Sequence, residues 1–168
     1  ICEDLWVADT PSTRLAQGGA TLILNPSASD ETVCKDDYRR TLLSATSGRL
    51  VCGYVYADAG WGGSSTDLIY AGHSLIAENG TILAQRRFET GLTVTELDLE
   101  KLCHERQRMS TFPADAPDVF PQYFRLNVEE TTLTRPVAKN PFVPADHGDR
   151  AARCQEILTL SDLGLKKR

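Results

Sequence analysis

The stretch TLILNPSAS at residues 21–29 combines a strand with the loop that follows it. Its first five residues, TLILN, form a short apolar and partly β-branched run, which is typical of a buried strand. Pro26 and the small residues after it end the strand and open a loop. Binding and catalytic residues concentrate in such loops. The pattern therefore predicts a buried strand with a candidate site at its end.

Two helices and a second strand are predicted around this stretch. Residues 11–19 read as a short helix, with Thr10 as its cap and Pro11 at its first position. Residues 36–47 have helical spacing, with an apolar face of Tyr38, Leu42, Leu43 and Ala45, and we expect this helix to end at Gly48. Residues 50–57 predict the next strand.

Further along the chain, a hairpin is the clearest signal. Asn79-Gly80 stands between the strand-like runs 73–77 and 81–85, and this dipeptide favours a tight two-residue turn. Residues 68–70 and 92–97 predict additional strand, and residues 98–109 predict a helix. Strands alternating with helices, followed by a hairpin, indicate an α/β layered fold with a mixed sheet.

The character of the sequence changes after Met109. Six prolines lie between residues 113 and 144, a density that excludes long regular elements. One strand over residues 123–128 and an amphipathic helix over about 149–165 are predicted here. We therefore divide the chain into a layered part, residues 1–109, and a proline-rich arm with a final helix, residues 110–168.

Bulk properties exclude several classes of protein. The chain has 168 residues, is 41% hydrophobic and carries a formal charge of −5. Its cations are scattered, so we expect no nucleic-acid partner. No apolar stretch is long enough to cross a bilayer, so we expect no membrane partner. The five cysteines include no CxxC pair, which fits neither a disulfide framework nor a zinc site and favours a reducing, cytoplasmic location.

The stretches Ile1-Cys2-Glu3-Asp4-Leu5-Trp6, NPSAS at 25–29 and ADAGWGGSSTD at 57–67 are similar in order and spacing to the glutaminase part of glutamine-dependent NAD⁺ synthetases, which is a nitrilase-type (carbon-nitrogen hydrolase) domain. The resemblance extends from Ile1 to a tail that in this family leads towards the synthetase domain. The other matching stretches are PS at 11–12, Lys35, GHS at 72–74, ENG at 78–80, DLEKLCHERQRM at 98–109, NPFVP at 140–144 and RCQEI at 153–157.

This resemblance implies a fold and a set of site residues. The fold would be part of a four-layer αββα sandwich, with residues 1–109 forming the C-terminal half of the glutaminase domain and 110–168 the start of the connection onward. Cys2 would be the nucleophile that attacks the side-chain amide of glutamine, and the backbone N–H of Glu3 would help to bind the oxyanion. Ser29 and Lys35 would bind the substrate. From local sequence alone, the alternatives are a buried structural cysteine, a turn serine and a solvated lysine.

The resemblance also implies partners outside these residues. The glutamate base and the lysine of a Glu-Lys-Cys triad would lie before Ile1, and a synthetase domain of the same polypeptide would use ATP and magnesium to amidate deamido-NAD⁺ with the ammonia released. No cofactor or metal is expected in the chain itself, since His73, His104 and His147 lack ligand partners nearby in sequence. A homo-oligomer is expected. Alone, the chain would be inactive.

Two positions depart from the family's pattern, and two other functions stay open. Cys34 stands where the family usually has glycine, and Gly63 stands where it often has glutamate. The alternatives are a freestanding nitrilase-family amidase and a catalytically silent scaffold or interaction module. The proline-rich arm argues against the amidase.

Overall fold

The computed structural model describes residues 1–63, 67–113, 116, 118–127, 129 and 131–167. They form two compact units, Ile1–Leu133 and Thr134–Arg168. The predicted division at residues 109 and 110 concerns the domains of a parent enzyme, and it stays a prediction.

The first unit is built on one mixed sheet. After a 3₁₀ turn at Cys2–Leu5, its elements are α1 (Pro11–Gln17), β1 (Leu22–Ser27), α2 (Lys35–Leu50), β2 (Gly53–Asp58), β3 (Ser74–Glu78), β4 (Thr81–Arg86) and α3 (Leu99–Arg108). The strands lie in the order β1-β2-β3-β4, with β1 parallel to β2 and the other pairs antiparallel. The predicted α/β fold with a mixed sheet is confirmed.

The core lies on the face of the sheet that α2 and the first 3₁₀ turn cover. Alternate strand residues point to this face, as the two-residue period of a strand requires. Leu43 of α2 and Leu5 of the turn pack against them. The strand residues of this core are Ile23, Tyr54, Tyr56, Leu75 and Ala77. The position of Cys2 is thus fixed through Leu5, which is 2% exposed.

The hairpin prediction is confirmed. Asn79 and Gly80 have φ values of +45° and +87°, so both residues are in the left-handed region that a type I′ turn needs. β3 and β4 pair antiparallel on either side of them.

The predicted end of α2 is wrong, whereas its predicted apolar face is right in part: Leu43 is buried and Leu42 packs against the core, but Tyr38 and Ala45 are exposed. The helix continues through Gly48 to Leu50, and β2 begins at Gly53 rather than at residue 50. Gly48 serves as a close-packing point, because a Cβ there would lie 3.3 Å from Gly80 Cα. The buried face carries Arg39, Leu43, Thr46, Ser47 and Leu50, whereas Tyr38 is 57% exposed.

Three predicted strands are absent from the described residues. Residues 68–70 and 92–97 run without a strand partner, and so do residues 123–127; Val128 lies outside the described residues. At the end of the second of these segments, Leu97 lies close to β2, since a Cβ on Gly53 would be 3.1 Å from Leu97 Cδ1. A strand needs a neighbouring strand to complete its backbone hydrogen bonds, and the strand propensity of a segment does not by itself provide that neighbour.

The second unit contains α4 (His147–Lys166), which confirms that the chain has a final helix but not that this helix is amphipathic, because its apolar side chains are spread around it. Asp146 caps it by accepting a hydrogen bond from the Asp149 N–H at 3.0 Å. None of the side chains of α4 is buried. Within the described part of the chain, no helix is both long and apolar enough to span a bilayer.

Candidate active site

Cys2 occupies a sharp turn at the edge of the sheet. It begins the 3₁₀ turn Cys2–Leu5 with a φ of +50°, in the left-handed region that residues other than glycine rarely adopt. Such a conformation costs on the order of 1–3 kcal/mol and persists where packing enforces it. The buried side chain of Leu5 and the partly buried ring of Trp6 supply that packing. The Cys2 thiol is partly exposed.

Ser27 and Tyr56 connect the thiol to the core. Ser27 Oγ donates a hydrogen bond to Cys2 Sγ at 3.5 Å, and the Tyr56 hydroxyl lies 2.7 Å from Ser27 Oγ. Because the Ser27 proton is directed to sulfur, Tyr56 is the donor to Ser27. Burial raises the pKa of Tyr56, so its phenol stays protonated and able to donate. Neither Ser27 nor Tyr56 was predicted as a site residue, although Ser27 closes the NPS stretch at the end of β1.

A cavity of about 240 Å³ opens beside the thiol. Its lining contains all four residues that the resemblance assigned to the site, although these come from separate stretches of the sequence. The residues that line it are Cys2, Glu3, Trp6, Ala28, Ser29, Asp30 and Lys35. The fold thus brings the predicted nucleophile and the predicted substrate contacts around one space. Their individual roles stay predictions.

The Glu3 N–H lies at the start of the 3₁₀ turn. The first hydrogen bond of the turn runs from the Asp4 N–H to the Ile1 carbonyl, so the Glu3 N–H precedes it and has no carbonyl partner within the turn. This geometry is compatible with the predicted role of that N–H as an oxyanion donor.

Ser29 is held from two sides. Its backbone N–H donates to Asp58 Oδ1 at 2.8 Å, and its Oγ lies 3.3 Å from Arg39 Nη2. Asp58 ends β2, the strand beside β1, so the sheet itself places this carboxylate under the loop that follows β1. Burial raises the pKa of Asp58, against the lowering effects of the Ser29 N–H and of Arg39.

Lys35 is the first residue of α2 and faces the cavity from the other side. Its Nζ donates to the backbone carbonyl and to Oδ1 of Asp30, each at 2.7 Å, and lies 5.4 Å from the centre of the Trp6 ring. Lys35 also holds the pKa of the Asp30 carboxyl below its ordinary value. An ammonium has three donors, so a third is left for a ligand in the cavity.

The departure at Cys34 has a structural explanation. Cys34 caps α2 with φ +67° and ψ +4°, a left-handed conformation in which glycine carries no penalty. The glycine that the family usually has here therefore suits the backbone, and in this chain cysteine adopts the same strained conformation. The start of α2, and with it Lys35, is kept in place.

Gly63 has little room for a side chain. A Cβ at this position would lie 3.1 Å from Tyr70 Cδ2 and 3.3 Å from Ala59 Cβ. A glutamate here would thus require the Tyr70 ring to shift. Ser64, Ser65 and Thr66, which follow it in the same loop, lie outside the described residues.

Arg39 is a buried residue beside the site that no sequence motif indicated. Arginine is mostly exposed in folded proteins, but the Arg39 side chain is 0% exposed and forms an ion pair with Glu31 Oε2 at 3.0 Å. Its Nη1 also lies 2.8 Å from His73 Nδ1. Burial and the Arg39 charge both lower the pKa of His73, which is therefore neutral and accepts through Nδ1. His104 and His147 are exposed, and the described residues contain no cluster that could hold a metal ion.

Comparison with known proteins supplies the family. Over the whole chain, it is 39% identical to the glutamine-dependent NAD(+) synthetase of Mycobacterium leprae and 37% identical to that of Mycobacterium tuberculosis. The chain is a homologue of the glutamine-dependent NAD(+) synthetases. It spans about 26% of the length of these two synthetases. The resemblance that the motifs indicated is thereby confirmed.

A solved structure supports the fold. Saccharomyces cerevisiae Nit3, a member of branch 10 of the nitrilase superfamily, matches with a TM-score of 0.54 and 22% identity, covering 66% of this chain and 40% of that one. At this identity the match shows the fold alone, which is the nitrilase fold inferred from the synthetase motifs. No protein-family profile matches the chain.

Proposed function

We propose that the chain supplies the nucleophile and the glutamine-binding wall of the glutaminase site in a glutamine-dependent NAD⁺ synthetase. The observation that carries this proposal is the cavity that Cys2 shares with Glu3, Ser29 and Lys35. A free amino acid carries a carboxylate, and a hydroxyl beside an ammonium is a suitable pair of donors for it. The relatives that match the whole chain are synthetases of this kind.

The proposed reaction is acyl transfer to sulfur. The Cys2 thiolate attacks the side-chain amide carbon of glutamine, forming a C–S bond and moving an electron pair onto the amide oxygen. The Glu3 N–H donates to this oxyanion. Collapse of the intermediate breaks the C–N bond, and the nitrogen leaves as ammonia after taking the proton that a glutamate base outside these residues would have removed from the Cys2 thiol. Water then hydrolyses the thioester to give glutamate and restore the thiol.

Two groups of the proposed triad would come from sequence outside these 168 residues. A glutamate would serve as the base that deprotonates Cys2 and later activates water, and a lysine would be the second oxyanion donor. A synthetase domain with ATP and magnesium would consume the ammonia in amidating deamido-NAD⁺. A cytoplasmic location and assembly into a homo-oligomer also belong to this proposal.

The test is a Cys2→Ala variant of the longest natural polypeptide that carries the chain. We expect NAD⁺ formation from glutamine to fall by more than about 10³-fold, because loss of a nucleophile removes the covalent route. Formation from added ammonium salt should stay within about twofold, because it bypasses the thiol. Both rates can be followed by NAD⁺ assay with deamido-NAD⁺ and ATP.

The two nitrogen sources separate the possible outcomes. Equal loss with both would contradict the role of Cys2. Glutamine hydrolysis that needs Cys2, in a polypeptide unable to use ammonium for NAD⁺ synthesis, would indicate the freestanding amidase. Glutamine-dependent synthesis that survives the substitution would leave this chain as a scaffold.

A further inference from the structure

Arg39 is a buried cation that makes more contacts than the neutralisation of its charge requires. Its side chain is 0% exposed, and Glu31, whose side chain is 5% exposed, balances the charge at 3.0 Å. A buried ion pair is stable only when its geometry is good, because both charged groups have lost their hydrogen bonds to water. The guanidinium also donates a hydrogen bond to Ser29 Oγ at 3.3 Å, and its Cζ lies over the Tyr56 ring, 5.9 Å from the ring centre.

The chemistry of the two groups fixes the direction of the hydrogen bond. A guanidinium has only donors, so Ser29 Oγ must accept from Arg39. A serine hydroxyl has a single proton, and that proton cannot point towards the arginine. The backbone N–H of Ser29 is already donated to Asp58. The Ser29 side chain lies close enough to Tyr56 to lower the pKa of that phenol, but among the described residues no hydrogen bond of ordinary length takes the Ser29 proton. The proton is therefore available to the cavity that Ser29 lines with Cys2 and Lys35.

We propose that Arg39 is a positioning residue that holds the Ser29 hydroxyl as a donor towards the cavity. Together with the Lys35 ammonium, this makes the subsite selective for ligands with a free α-carboxylate. The inference rests on the proposed function, since it concerns how the same cavity recognises glutamine. It assigns the selectivity to a fully buried residue that does not itself line the cavity.

The test compares two ligands that differ only at the α-carboxylate. In a Cys2→Ala background, which cannot turn over, the full polypeptide is titrated by calorimetry with L-glutamine and with L-glutamine α-amide. With Arg39→Lys, we expect the affinity for glutamine to fall roughly tenfold, which is typical for loss of a hydrogen bond to a charged group. Affinity for the α-amide should fall less, by no more than about threefold, because its neutral carbonyl accepts a weaker hydrogen bond from the same hydroxyl.

Arg87→Lys is the matched control. Arg87 contacts Glu31 Oε1 at 3.3 Å and so belongs to the same ion-pair network, but its other partners among the described residues are Asp36 and the Phe88 ring rather than Ser29, and it does not line the cavity. Its substitution perturbs the same carboxylate. We expect it to leave the ratio of the two affinities unchanged within about twofold. Equal weakening of both ligands by Arg39→Lys would show a merely structural role and overturn the proposal.

Ser29→Ala keeps the proposal testable if Arg39→Lys fails to fold, as judged by a tryptophan fluorescence melt. It leaves the Arg39 contacts to Glu31 and His73 in place and removes only the hydroxyl. It must reproduce the selective loss of glutamine affinity. When both variants fold, Arg39→Lys must have no further effect on the ratio in the Ser29→Ala background, and additive losses would overturn the proposal.

The outcomes also separate this inference from the proposed function. Glutamine hydrolysis that survives Cys2→Ala would refute the proposed function and leave the binding comparison intact. An unchanged affinity ratio in Arg39→Lys would refute the inference and leave the role of Cys2 intact. Absence of any glutamine binding would overturn the inference as well.

Discussion

At the scale of single residues, Cys34 shows backbone strain at the entrance to α2. A residue with a Cβ in the left-handed region costs roughly 1–2 kcal/mol, whereas glycine is free of this penalty. Glycine loses more conformational entropy on folding, which offsets about 0.5–1 kcal/mol of that gain. We therefore expect Cys34→Gly to raise the free energy of unfolding by about 0.5–1 kcal/mol in urea denaturation followed by tryptophan fluorescence.

The neighbouring residue provides the control. Val33 is 93% exposed, and its φ is not positive. Val33→Gly therefore gains nothing from glycine's freedom and should lower the free energy of unfolding by roughly 0.5–1 kcal/mol. The strain at Cys34 would be refuted if the two glycine variants changed stability in the same direction.

The site could be predicted from the sequence only where a motif carried it. Cys2, Ser29 and Lys35 stand in stretches that match the family, and the structure places all three on one cavity. Ser27 and Arg39 were not found, because their contacts join residues that are distant in sequence. Arg39 meets His73, which lies 34 positions further along, and no local pattern indicates that pairing.

At the scale of elements, His73 couples the packing of α2 and β3 to pH. It is 1% exposed and its pKa is lowered by burial and by Arg39; Gln85 and Glu31 act in the opposite direction, and Arg40 adds to the lowering. The unfolded chain therefore binds a proton near pH 6.5 that the folded chain does not, so stability falls as the pH drops below about 6.5. For one proton, the slope is at most about 1.4 kcal/mol per pH unit.

Substitution of His73 should flatten this dependence. We expect His73→Gln to have a lower free energy of unfolding than the parent chain at pH 8, because a well-packed ring is replaced. Between pH 7 and pH 5, however, its free energy of unfolding should fall by less than that of the parent chain. Urea denaturation across that range measures both. The carboxylates that titrate at lower pH are the same in the two proteins, so they cancel in the difference. Parallel stability curves would refute the role of His73.

Elements were predicted well where local chemistry defines them. The Asn79-Gly80 turn is set by its own backbone preference, and α1 by Pro11 at its first position. The end of α2 was wrong because Gly48 is held in the helix by close packing on Gly80, a contact between distant residues. Residues 92–97 have the composition of a strand, but no strand of the described residues lies beside them to pair with. They therefore do not form a strand despite their propensity.

At the scale of the first unit, the two faces of the sheet differ in how they are covered. One face packs under α2. On the other face, Leu24 is 65% exposed, and Pro26 and Ala57 are also exposed. Leu24 pairs with Val55 and Pro26 with Ala57 across β1 and β2, so these side chains form one continuous apolar strip. Exposed apolar patches of this kind bind hydrophobic dyes and partners.

Leu24→Lys should remove the centre of this strip at little cost to the fold. Because Leu24 is mostly exposed, we expect the free energy of unfolding to change by less than about 0.5 kcal/mol. Fluorescence of an anilinonaphthalene sulfonate dye, titrated against the folded chain, should fall at least about twofold because the charge interrupts the apolar surface. Val33→Lys is the control, since Val33 is more exposed but lies off the sheet. If Val33→Lys lowered the dye signal as much as Leu24→Lys, the dye would be reporting scattered apolar residues rather than the strip.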